Sequence, residues 1–225
     1  MSELNTEQKL AHESMILSSN VKSWWVLQIL QPFEKLFLTL HLTPNHITYL
    51  ATLLTIPCGL LLAKGMMLTG GWITLIVGSL DILDGKLARA MHLDSKRGEF
   101  LDSVLDRVQD FFILSGLLIY FKDHWIFWVV LLNIGVSPLI SYIKAKSEIV
   151  GVDLKRVGVM QRPERFFTLS AGLLISGALE IAIDQFSRFD GVPDHVILKV
   201  ILIFLGVMSV YTAMERMKKS LQDLS

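Results

Sequence analysis

The sequence predicts an all-α integral membrane protein: six transmembrane helices preceded by an N-terminal amphipathic helix lying in the membrane interface. Three observations lead there. Of the 225 residues, 52% are hydrophobic and only 19% charged, and the mean hydropathy is +0.52, a balance too apolar for an ordinary soluble domain. Apolar stretches of about 20 residues, the length that crosses a bilayer, recur along the chain. Lysines and arginines fall mainly on one side when those stretches are threaded alternately.

The elements follow in order. The opening MSELNTEQKL is polar and mixed in charge. It lacks the basic start and apolar core of a cleaved signal peptide, so the membrane signal is expected from mature spans. Residues 21–40, VKSWWVLQILQPFEKLFLTL, mix aromatic and apolar residues with Lys22 and Lys35. This pattern suits a helix in the interface, bent at Pro32, with tryptophans at headgroup depth. Residues 1–42 form this N-terminal part, and residues 43–225 form the six-helix domain.

The six spans are read at roughly 46–64, 68–90, 99–120, 124–145, 163–183 and 195–216. The first opens with LTPNHIT, where Thr43 or Asn45 is placed to cap the helix, and Pro57 is expected to kink it. The second and third run from apolar sequence into clusters of Asp and Arg. With both termini cytoplasmic, most basic residues lie inside. The outer loops keep Lys64, Lys122 and Arg188, with Lys199 near an outer helix end. The formal net charge is +0, which gives no electrostatic case for nucleic acid. Cys58 is the single cysteine, so the chain has no internal disulfide, and its apolar surroundings make it a packing residue. There is no second soluble domain and no internal repeat.

The chemistry gathers in Asp81-Ile-Leu-Asp84-Gly85-Lys-Leu-Ala88-Arg89 and in Gly98-Glu-Phe-Leu-Asp102-Ser-Val-Leu-Asp106. An ionisable residue at membrane depth is costly unless it faces water, a partner or an ion. Four aspartates on two neighbouring spans would repel one another, and two basic neighbours are too few to neutralise them. Positions three or four apart share a helix face, so Asp81, Asp84, Gly85 and Ala88 line one face of the second span. Asp102 and Asp106 line one face of the third. The short turn around 91–98 is expected to make these helices antiparallel neighbours with their faces meeting. Four carboxylates there form an oxygen-rich pocket for two hard divalent cations, Mg²⁺ or Mn²⁺, able to clamp a diphosphate. Gly85 and Ala88 leave room for a nucleotide or phosphate, or for close helix packing. Arg89 can neutralise diphosphate charge.

The arrangement D-x2-D-G-x2-A-R-x8-G-x3-D-x3-D resembles the signature of CDP-alcohol phosphotransferases, and all eight specified residues match. LTPNHIT also looks like the segment that opens this family's first span. The resemblance implies that Asp81, Asp84 and Asp102 bind metal, that Asp106 completes the site, and that Asp106 is the general base for the incoming hydroxyl. It implies a CDP-lipid donor held by Asp81, Gly85, Ala88, Arg89 and Ser95, helped by the Asn45 to Thr48 stretch. It also implies a homodimer in the cell membrane, with the active site cytoplasmic.

A second polar cluster holds Ser141, Lys144, Lys146, Arg162 and Arg165, and Arg216 adds a cation near the end of the sixth span. The run from Ser141 to Lys146 is expected to be helical and to face inward. Several cations beside a metal site suit a polar alcohol that already carries a phosphate. The block resembles the corresponding segment of phosphatidylinositol-phosphate and archaetidylinositol-phosphate synthases, with Lys146 in place of an arginine and Gln161 in place of a glutamate. That resemblance implies inositol phosphate as acceptor, bound by these cations. Glycerol 3-phosphate stays open as an alternative acceptor. An ion or proton transporter, and a non-catalytic scaffold, stay open as alternative classes. The topology is directly testable: cysteine tags at Ser95, Lys155 and the C-terminus should label from the cytoplasmic side and a tag at Asp190 from the outside, and opposite labelling of Ser95 and Lys155 would refute six spans.

Overall fold

The computed structural model describes residues 30–39, 42–93, 95–154, 157–186 and 195–224. Among them are seven helices and no strand: α1 Gln31–Thr39, α2 Pro44–Ala63, α3 Met67–Ala90, α4 Lys96–Tyr120, α5 Ile126–Ile149, α6 Arg162–Phe186 and α7 Val196–Asp223. Five of them, α2, α3, α5, α6 and α7, are long and apolar enough to cross a membrane. The α4 helix is as long as these, but its first 15 residues carry Asp102, Asp106, Arg107 and Asp110. Those charges keep it out of the apolar group. The run from Ser141 to Lys146 is helical, inside α5.

Local sequence explains the helix ends. Thr43 occupies the N-cap of α2 with extended backbone and Pro44 follows at the first helical position, but the Thr43 side chain makes no capping bond. The proline ring, which presets the helical φ and needs no N–H partner, does the work there. The α2 helix runs unbroken past Pro57. Ser95 caps α4, its Oγ accepting the Gly98 N–H at 3.1 Å. Gly65, between α2 and α3, has φ +83, and a Cβ there would lie 2.9 Å from the Tyr120 ring. Glycine meets both demands. Of the interfacial helix read at 21–40, only its end is described, as α1 with Pro32 in the first turn. Its Trp24 and Trp25 lie outside the described residues. Glu34 ties α1 to α3 by an ion pair to Lys86 at 3.6 Å.

The six long helices close into a ring in which each packs chiefly on two others, in the order α2, α3, α6, α7, α5, α4 and back to α2. This corrects one expectation from sequence. The α3 and α4 helices are joined by a short turn, yet they are not packing neighbours, because α2 lies between them and packs on both. Small residues allow the wedge. A Cβ on Gly116 of α4 would collide with the Gly59 carbonyl of α2, and one on Gly59 would sit 2.5 Å from the Phe112 carbonyl oxygen. Gly71 and Gly177 bring α3 and α6 together in the same way. In lipid, apolar burial gives helices little reason to associate, so close backbone packing carries more of the stability. Leucines and tryptophans on the outer surface, such as Leu53, Leu60 and Trp128, are well exposed, as a lipid-facing surface requires.

The ring is tied at the end away from the aspartates by His195. Its Nδ1 lies 2.9 Å from Ser176 Oγ of α6 and its Nε2 2.8 Å from Tyr120 Oη of α4. Overpacking a tight contact costs about 1–3 kcal/mol, occasionally more. Gly116→Val should therefore lower the melting temperature of the purified protein and reduce activity with it, whereas Gly135→Ala, where an added Cβ meets nothing within 4 Å, should change neither. Equal melting temperatures for both variants would mean that the α2–α4 contact is not needed.

Candidate active site

The aspartates project from the last turns of α3 and the first turns of α4, and they meet inside the ring. Carboxylate oxygens of Asp81, Asp102 and Asp106 lie within 4.8 Å of one another. Asp84 is buried beside them and accepts a hydrogen bond from Thr48 Oγ1 of α2 at 2.7 Å. The helix that stands between α3 and α4 thus supplies a donor to one of the four carboxylates.

Most of the compensating charge comes from α6. Arg162 Nη1 lies 2.6 Å from Asp81 Oδ2 and 2.9 Å from Asp106 Oδ1. Its Nη2 donates to Gln109 Oε1 at 2.7 Å, and its plane lies 4.7 Å from the Phe166 ring centroid. A planar fork holds the two carboxylates on one nitrogen and the amide on another in fixed geometry, where a lysine offers a single nitrogen. Sequence grouping put Arg162 with the acceptor cations. Its guanidinium sits instead on the aspartates, where unscreened like charges draw the nearest cation that can reach.

The other cations are divided. Arg165 is buried, 3.4 Å from Asp110. Arg216 is buried and donates to the carbonyls of Val157 at 2.9 Å and Ile140 at 3.2 Å, with no carboxylate partner in ion-pair range among the described residues. Lys144 did not turn fully inward: its side chain is 45% exposed and lies 3.9 Å from Glu148. Lys146 is exposed at the end of α5, and Ser141 is half-buried.

On the other side of the aspartates a cleft of about 980 Å³ is lined by Asn45 and Thr48 of α2, Asp84, Gly85, Ala88 and Arg89 of α3, and Ser95, Gly98 and Asp102 at the start of α4. A Cβ on Gly85 would meet nothing within 4 Å. Close helix packing therefore does not account for this glycine, whereas an open approach to the α3 backbone does. Every residue read from the sequence as a donor contact borders this cleft except Asp81, which stands behind it among the aspartates.

Three residues were missed from sequence: Gln109, Asp110 and Ser137. Asp110 continues the i, i+4 series from Asp102 and Asp106, so its face was legible. Gln109 is fully buried and donates to Thr52 Oγ1 at 3.0 Å while accepting from Arg162. Its position gave no such signal.

The residues present fit divalent metal. Asp81 Oδ1 and Asp102 Oδ1 are buried without a hydrogen-bond partner among the described residues, a state that is costly for a carboxylate oxygen unless a cation takes it. Hard oxygen donors of this kind suit Mg²⁺ or Mn²⁺. The structure is a helical ring with an aspartate centre that fits divalent metal and a large cleft beside it.

Comparison with known proteins agrees. Residues 41–212 match the family model described as CDP-alcohol phosphatidyltransferase. The phosphatidylinositol phosphate synthase of Cutibacterium acnes is 29% identical over 199 residues, covering 84% of this chain and 91% of that one. The archaetidylinositol phosphate synthase of Pyrococcus horikoshii is 33% identical over 144 residues, 64% of this chain and 76% of that one. A crystal structure of Mycobacterium tuberculosis phosphatidylinositol phosphate synthase with CDP-DAG bound superposes with TM-score 0.70 at 29% identity, covering 86% of this chain and 94% of that one. A second, in complex with manganese and citrate, gives 0.71 and covers 86% and 89%. The chain belongs to the CDP-alcohol phosphatidyltransferase family. It is a transferase that works with a divalent cation, Mg²⁺ or Mn²⁺, and the transporter and scaffold readings fall away. Chelation with EDTA should abolish CMP release and added Mg²⁺ or Mn²⁺ should restore it, while Asp81→Asn and Asp102→Asn should each cost orders of magnitude in rate; an enzyme indifferent to EDTA would refute the metal centre.

Proposed function

We propose that this chain transfers the lipid phosphate of a CDP-lipid to inositol phosphate, with release of CMP. The observation that carries the acceptor is a pair of buried arginines on two helices, Arg165 of α6, held by Asp110 one turn beyond the aspartate centre, and Arg216 of α7. Arg216 is satisfied only by carbonyls among the described residues, which leaves its charge available to an anion. The names of the relatives support the same acceptor, since all of those described above make inositol phosphate lipids.

Each residue then has a role. Asp81, Asp84, Asp102 and Asp106 hold the metal, which when bound neutralises the diphosphate and the charge that develops on the transferred phosphorus. Asn45, Thr48, Gly85, Ala88, Arg89 and Ser95 seat the CDP part in the cleft. Arg165, Arg216 and, nearer the surface, Ser141, Lys144 and Lys146 hold the acceptor's phosphate. Arg162 keeps one oxygen of Asp106 in place, and Asp106 takes the proton of the attacking hydroxyl. The hydroxyl oxygen bonds to the lipid-bearing phosphorus as the bond from that phosphorus to the bridging oxygen breaks, and CMP leaves with the bridging oxygen.

The same reading makes α4 the remaining span of a six-span protein with both termini and the aspartates cytoplasmic, led by the interfacial helix and working as a homodimer in the cell membrane. Charge on α4 is no obstacle, because its aspartates face the ring interior. The test of the acceptor is CMP release from CDP-diacylglycerol with inositol phosphate, glycerol 3-phosphate and free inositol. Inositol phosphate should be preferred. Arg165→Ala should raise its KM about 10- to 100-fold, the loss of a charge-assisted contact of about 1.5–3 kcal/mol felt equally in ground and transition states, with donor KM little changed. Turnover with glycerol 3-phosphate alone would refute the inositol phosphate reading.

A further inference from the structure

The motif of aspartates ends at Asp106, but the polar network does not. One turn further along α4, Asp110 points into the ring with a side chain only 12% exposed. Its Oδ2 lies 3.4 Å from Arg165 Nη2 and also accepts the Ser137 hydroxyl of α5. The same Nη2 donates to Ser137 Oγ at 3.1 Å, so hydroxyl, carboxylate and guanidinium close a triangle across three helices. The other oxygen of Asp110 lies 3.7 Å from Arg162 Nε. One carboxylate thus contacts both arginines of the first two turns of α6.

Little else fixes Arg165. Its Nη1 is buried with no hydrogen-bond partner among the described residues. A cavity of about 30 Å³, the room of about one water, lies beside it, bordered by Asp110, Ser137, Arg165 and Ser209 among apolar side chains, so the guanidinium is not close-packed on every side. Arg162 is different, because Asp81, Asp106 and Gln109 also hold it.

We propose that Asp110, braced by Ser137, is a positioning residue that orients Arg165 toward the phosphate of the acceptor. Neither Asp110 nor Arg165 lines the donor cleft, so the effect should reach the acceptor and not the donor. The inference rests on the acceptor role given to Arg165 above. Asp110→Asn keeps the size of the side chain while removing its charge, and it places an amide that can turn N–H donors toward a cation.

The experiment measures CMP release by the purified full-length protein in detergent, varying CDP-diacylglycerol and the phosphorylated alcohol separately. Asp110→Asn should raise the acceptor KM by roughly tenfold or more, the scale of loosening one charge-assisted contact, and should leave the donor KM and most of kcat in place. Combining it with Arg165→Ala should add little to the acceptor KM of Arg165→Ala alone, because both changes disable the same contact. An acceptor KM within twofold of wild type, a parallel rise in donor KM, or additive effects of the two substitutions would overturn the proposal. Should Asp110→Asn fail to fold, Ser137→Ala removes the hydroxyl that braces Asp110 and accepts from Arg165 while leaving both charges in place: a smaller rise in acceptor KM supports the proposal and an unchanged value overturns it. If the wild type uses glycerol 3-phosphate and not inositol phosphate, the acceptor reading fails while the Asp110 comparison is made on glycerol 3-phosphate. A wild type that uses only unphosphorylated alcohols overturns both.

Discussion

Five carboxylates from two helices face the interior of a helical ring, and the cost of keeping negative charge there governs the arrangement of the rest. Burial and mutual repulsion both act against ionised aspartates in such a place. The structure answers with two arginines from successive turns of α6, with the Thr48 and Ser137 hydroxyls, and with the amide of Gln109. Arginine is suited to this because its charge persists in low dielectric and its fork reaches several oxygens at once. The compensation is incomplete at Asp81 Oδ1 and Asp102 Oδ1, and those are the oxygens a divalent cation can take.

The same helices must also leave space for a substrate. The α2 helix achieves this by standing between α3 and α4, so that the two aspartate faces meet while the cleft opens beside the start of α2. The close backbone approach at Gly59 and Gly116 keeps α2 in that position. Packing and chemistry are therefore linked through one helix that carries no metal-binding aspartate. Its Thr48 reaches Asp84, and its first turn borders the cleft proposed for the donor.

Five of the six long helices were legible because apolar length is a strong signal, and α4 because its polar half repeats the helical period; the ranges agree within about four residues except at the end of α7, which runs on to Asp223. The aspartate constellation was legible because its spacing of three and four repeats the helical period. The α2 wedge was not legible. A short turn between two helices suggests that they touch, and only the packing of α2 on both of them, with its close glycine contact to α4, reveals otherwise. The destination of Arg162 was hidden for a similar reason. Sequence proximity to Arg165 suggested a shared task, but one helical turn separates a guanidinium that reaches Asp81 from one that reaches Asp110. Lys144 shows the reverse error: helical position alone did not decide how far its flexible chain would extend toward solvent and Glu148.

The order of helices around the ring differs from their order along the chain, and this bears on how the protein is made. A nascent chain that has delivered α2 through α5 to the membrane already carries Asp81, Asp84, Asp102, Asp106 and Asp110. It carries neither Arg162 nor Arg165, which emerge only with α6. Until then the guanidinium that pairs with them is Arg107 of α4, 3.7 Å from Asp106, and the ring has no closing contacts from α6 and α7. Assembly of the centre is thus a late event in biogenesis, and the translocation machinery must shelter or hydrate an acidic half-site that the finished fold later neutralises from within.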